Sequence, residues 1–135
     1  ASDVYKRQFL PGGMAFAFGK LAVCDTLNHR VQVFEARTDN ANWGQVIREI
    51  RSNDRNGMAR FEVPLDIEIS AAGMVYVCDG GAAEIVELDP GFERVGAFGG
   101  DELGEPYALA LSPDGRHCFV TDRRSNMVLR FDREE

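Results

Sequence analysis

The chain has 135 residues, about one domain, and its 44% hydrophobic and 27% charged content is ordinary globular composition that excludes collagen-like and disordered chains. Fifteen Lys and Arg against 22 Asp and Glu leave a net charge of −7, which disfavours phosphate backbones and membrane surfaces as partners. No apolar run approaches the ~18 residues of a spanning helix and no charged-then-apolar leader is seen, so a cytoplasmic protein without a membrane partner is expected.

In chain order, the first segment is 1–8. Its Asp3-Val4-Tyr5-Lys6-Arg7-Gln8 reads like an in-frame translation of a transposase adapter from sequencing libraries, so 1–8 is expected to be non-native and Lys6 and Arg7 are set aside. Three units follow, at 9–63, 64–105 and 106–135. Each opens on a proline (Pro11, Pro64, Pro106) and an alternating apolar strand: Met14 and Phe16, Ile67 and Ile69, Leu109 and Leu111. Each then has a second strand ending in aspartate, Lys20 to Asp25, Met74 to Asp79 and His117 to Asp122. Beyond each aspartate a third strand carries a β-branched residue (Val31, Ile85, Val128) and a large apolar one (Phe34, Leu88, Phe131).

The aspartates are spaced by 54 and 43 residues. A period in the forties built from strands alone is the signature of a propeller blade. In unit two the four strands are predicted at Leu65 to Ile69, Met74 to Asp79, Glu84 to Leu88 and Arg94 to Phe98. Ser112-Pro113-Asp114-Gly115 supplies a tight turn in unit three, with Pro presetting φ and Gly accepting a positive one. The extra length of unit one falls in polar loop insertions, Thr38 to Gln45 and Ser52 to Arg60. The first and second strands are apolar on both faces, as in Val23-Cys24, Val77-Cys78 and Phe119-Val120, so each sheet must be covered on both sides. The predicted fold is therefore all-β: about three four-stranded antiparallel blades of a β-propeller, the third ending before its outer strand. The face of an end unit is expected to need the missing blades of a longer ring.

Asp25-Thr26-Leu27-Asn28-His29-Arg30-Val31-Gln32-Val33-Phe34 closely resembles the NHL repeat, a blade motif written D-[ST]-x-N-H-R-[IV]-x-[VK]-F. Units two and three share its framework but have Ala82-Ala83-Glu84 and Ser125-Asn126-Met127 in place of Asn28-His29-Arg30. The resemblance implies a six-bladed propeller in most relatives, of which three units make half a ring. It also implies a choice of roles: protein-binding ends of tripartite-motif ubiquitin ligases and other scaffolds, readers of single-stranded RNA, or, in related six-bladed proteins, amidating lyases and lactonases. A non-catalytic protein-binding module fits the acidic surface best. RNA reading is opposed by the −10 carried by 61–135, although 1–60 holds +3.

Asp25, Asp79 and Asp122 are expected to accept hydrogen bonds from the turns that follow them. Arg30 is placed to pair with Asp25, a contact of small energy if exposed. Asn28 is assigned the left-handed turn position. His29 matches the histidine of the motif and is expected to pack in the turn, and His117 has no acidic or histidine neighbour at ligand spacing. Asp66 and Glu68 share a face of a strand that lines the channel of a propeller, where carboxylates could hold a cation but are expected to be solvated wall. Cys24, Cys78 and Cys118 lack a C-x-x-C spacing and are expected to be reduced and buried. Without G-x-S-x-G, a P-loop, H-E-x-x-H or a third histidine, no catalytic residue, metal or other cofactor is assigned. Trp43, alone in a polar insertion, is either a lid on its own blade or a partner anchor. With the basic residues Arg48, Arg51, Arg55 and Arg60 it forms the candidate partner-binding set, although a solvated loop is the default for those arginines.

Overall fold

The computed structural model describes residues 11–51 and 61–133. Their eleven strands form three antiparallel sheets. The first contains β1 (Pro11–Ala17), β2 (Lys20–Asp25), β3 (Arg30–Glu35) and β4 (Val46–Arg51), in that order. The second contains β5 (Pro64–Ile69), β6 (Val75–Asp79), β7 (Glu84–Leu88) and β8 (Arg94–Phe98). The third has three strands, β9 (Pro106–Leu111), β10 (His117–Asp122) and β11 (Met127–Asp132). Against the predicted strands of unit two, β5 begins one residue earlier and β6 one later.

The repeat is reproduced pair by pair. Pro11 lies opposite Asp25, Pro64 opposite Asp79 and Pro106 opposite Asp122, and in every sheet the register shifts beside that pair. A proline has no N–H for the ladder and is tolerated at a strand's first residue or at a bulge. The Ser112–Gly115 turn forms as predicted, with Gly115 N–H donating to Ser112 O at 2.9 Å and Gly115 at φ 73°.

Apolar faces stack between sheets. Alternate residues of β6 divide between the two interfaces: Val75 and Val77 join Cys24, Val31 and Val33 of the first sheet, while Tyr76 and Cys78 join Leu109, Cys118 and Val120 of the third. This is the two-sided cover that adjacent apolar residues demand. The first strands lie side by side, β1 against β5 and β5 against β9. Gly13 permits a close approach, since a Cβ there would stand 2.8 Å from the Asp66 Cα.

The two end sheets each keep one unfinished interface. Met14 is 65% exposed, whereas its repeat equivalents Ile67 and Leu109 are 0% and 6% exposed. At the other end Val128 is 64% exposed where Val31 and Ile85 are at 0%.

Candidate functional site

At one end of the sheets the second and third strands are joined by the turns that carry the repeated aspartates. Asp79 Oδ2 accepts the Glu62 N–H, and its Oδ1 accepts those of Val63, Gly81 and Ala82, at 2.9–3.1 Å. Asp122 repeats this with Gly104, Glu105 and Arg124 at 2.9–3.0 Å. The N–H groups of Gly104 and Glu105 hold its carboxyl below the usual carboxylate range. These aspartates thus bind the following turn, as expected, and also the segment leading into their own sheet's first strand. That longer-range partner could not be read from local sequence.

Asp25 differs. It is fully buried and takes side-chain donors, Asn28 Nδ2 at 3.0 and 3.1 Å and Arg30 Nε at 2.6 Å. The Arg30 to Asp25 pair is buried rather than exposed, and Arg30 Nη1 also donates to Glu49 at 3.1 Å. Asn28 does not take the left-handed position. Thr26–Asn28 form a single 3₁₀ turn, and His29 adopts φ 56°. Ala83 and Asn126, also four residues after their aspartates, have φ 57° and 56°. The turn geometry sets the left-handed residue at that position whatever its type, while Asn28 is occupied in holding Asp25. His29 Nδ1–H donates to the Glu62 carbonyl at 2.5 Å, so the ring fastens the first sheet to the segment leading into the second.

The candidate partner-binding residues are dispersed. Trp43 is half-buried in a loop held by backbone bonds, its main-chain N–H donating to Asn40 O and that of Gly44 to Glu35 O. Arg48 reaches the second sheet, donating to Gly91 O at 2.6 Å and Glu93 Oε1 at 3.0 Å. This guanidinium on the fourth strand, exposed at its outer side, spans the seam to the next sheet. Arg51 ends β4, and Arg55 and Arg60 lie outside the described residues.

On the inner strand, Asp66 Oδ1 accepts the Ile67 N–H and its Oδ2 accepts the Leu109 N–H of the third sheet at 3.0 Å. Asp66 is therefore a staple between sheets rather than solvated wall. Burial, and then the neighbouring Asp66, push the Glu68 carboxyl above its ordinary value. Among the described residues no group of three or more His, Cys, Asp or Glu side chains is arranged to hold a metal ion. Burial first, then nearby acids, raises the Cys24 thiol and pushes Cys78 and Cys118 up to about 12, which makes all three poor nucleophiles. His117 does have an acidic neighbour, Asp132 across the strand pair at 2.8 Å, which spacing along the chain concealed.

Two contacts had no signal in the sequence. The Arg123 guanidinium lies 4.6 Å from the Tyr107 ring centre, and Arg133 lies over Phe98 while pairing with Glu87.

No protein-family model matches the sequence, and neither does any curated protein. Solved structures do. The WD40 beta propeller domain of Doa1 superposes with a TM-score of 0.71 at 13% identity, over 97% of this chain and 39% of that one. The fold is a β-propeller. Kuenenia stuttgartiensis hydrazine synthase (TM-score 0.70, 23% identity, 90% of this chain and 34% of that one) and a streptogramin B lyase (0.61, 12%, 93% and 41%) share it. So does a luciferin-regenerating enzyme (0.67, 14%, 84% and 37%). The propeller chain described here therefore spans 34–41% of the length of these structures, and the likeness is one of fold. Its three sheets are blades. Among the described residues no helix is long and apolar enough to cross a membrane.

Proposed function

We propose that this propeller is a non-catalytic protein-binding scaffold of the NHL type, cytoplasmic, and completed by further blades. One observation carries the reading: the polar groups of the repeat turns are spent on structural hydrogen bonds, most within their own blade and one, from His29, to the segment leading into the next. Asp25 is closed by Asn28 and Arg30, Asp79 and Asp122 by backbone N–H groups, and His29 by the Glu62 carbonyl. A rigid ring with its titratable groups so engaged supports recognition by surface contacts rather than acid–base chemistry. The exposed Met14 and Val128 at blade-facing positions support further blades as the first partners. Function as a tripartite-motif ligase end belongs to this reading.

The test is quantitative binding by the full chain of purified protein candidates recovered by crosslinking, beside a labelled single-stranded RNA at about 50 and about 150 mM salt. Saturable protein binding with RNA affinity lost at the higher salt is expected. Submicromolar, sequence-selective RNA binding at about 150 mM salt, or lactonase or lyase turnover with a stoichiometric metal, would replace this reading.

A further inference from the structure

At the opposite end from the aspartate turns, a cavity of about 230 Å³ opens on the seam between the first two blades. Its walls are Phe18 and Lys20 of the first blade and Ile69, Val75, Pro90 and Phe92 of the second. Among the described residues five non-glycine residues have left-handed backbone, and three of them, His29, Ala83 and Asn126, are the repeated turn position. The other two are Phe18 at φ 53° and Phe92 at φ 65°, and both line this cavity. Bulky side chains seldom occupy that region, and such outliers gather at ligand clamps.

The opening is shaped to stay open. Gly73, at φ 91°, lies between Pro90 and the Phe18 ring, and a Cβ there would stand 3.2 Å from Pro90 Cγ and 3.7 Å from Phe18 Cε2. Phe18 is itself 67% exposed. The charge at the mouth is uneven. Among the described residues Arg37 pairs with Glu35 and Arg48 with Glu93, while the cavity-lining Lys20, across the strand pair from Glu35, is in no ion pair.

We propose that this cavity takes a single aromatic side chain of a partner peptide, with an acidic residue beside it on Lys20. The proposal rests on the protein-binding reading and names the chemistry of that partner. Cavity size favours an anchor residue over a metabolite: a void of about 150 Å³ accepts benzene, whereas pockets for drug-sized ligands begin near 300 Å³. The exposed Phe18 at the mouth adds apolar surface that a peptide covers and a small molecule leaves wet.

The test uses the full chain and fluorescein-labelled nonapeptides with a central tryptophan or alanine, flanked by aspartates or by lysines. The tryptophan–aspartate peptide is expected to bind, and to weaken about tenfold or more on Lys20→Glu and on Ala72→Trp, which fills the cavity. Equal binding of the alanine-centred or lysine-flanked peptide, or no binding of any, overturns the proposal. So does indole-3-acetate binding as tightly as the peptide, which would make this a metabolite pocket. If Ala72→Trp loses its near-ultraviolet circular dichroism, Lys20→Glu and the peptide comparison still decide. A protein partner whose affinity neither variant changes would leave the scaffold reading standing and remove this site from it.

Discussion

Asp66 of the second blade accepts the backbone N–H of Leu109 in the third at 3.0 Å, joining the inner strands of two blades through one side chain. The same carboxylate takes the Ile67 N–H, and the first blade meets it at Gly13. Three blades thus converge on one aspartate, at the position where an open channel wall was expected.

Removing that staple leaves a half-buried N–H without its acceptor. Asp66→Ala is expected to destabilise the fold by about 1–3 kcal/mol, seen as a lower midpoint in urea. It should also let Glu68 titrate nearer its ordinary value, because one of the two causes of its upward shift is gone. An unchanged Glu68 titration by NMR would mean that burial alone sets the shift.

The buried Asp25 and Arg30 pair is a sensitive substitution site. Arg30→Ala strands a carboxylate that has no exposed surface, a change that costs about 3–5 kcal/mol. The double variant Asp25→Asn with Arg30→Met should recover part of the loss, since Met127 occupies the place of Arg30 in the third blade. A chemical-denaturation double-mutant cycle measures this. Additive costs would show that the two side chains act independently.

Asp122 makes stability depend on acid. Its carboxyl titrates below the ordinary 3.8 in the folded chain, so the folded state binds fewer protons than the unfolded one near that pH. The stabilisation is present above the unfolded value and is lost as pH falls through the folded one. Asp122→Asn should flatten that part of the pH profile, followed by urea denaturation across the acid range. A profile as steep as the wild type would assign the acid sensitivity to other carboxylates.

The unfinished end faces predict self-association. With Met14, Phe16, Met127 and Val128 all more than half exposed at or beside blade-facing positions, the isolated chain should sediment as a concentration-dependent mixture. Val128→Asp and Phe16→Asp should reduce that association. A monodisperse 15.0 kDa monomer unfolding in one cooperative step would show that the end faces are self-sufficient.

The sequence by itself determined the three-fold unit, because what it encodes is local. Proline at a strand start, alternation of apolar residues, aspartate at a strand end and turn residues at set offsets each act within a few positions, and repetition made them visible. Cover on both faces of the middle blade followed from adjacent apolar pairs such as Val77 and Cys78. What the sequence could not decide was which distant groups satisfy the charges. Asp79 reaches Glu62 and Val63, Arg48 reaches Gly91, and Asp66 reaches Leu109. The left-handed residue moved from Asn28 to His29 because a turn is set by its backbone closure, which overrides the preference of one side chain. The Phe18 and Phe92 cavity likewise exists only at the seam between blades, where two turns far apart in the chain are brought together by the stacking of sheets.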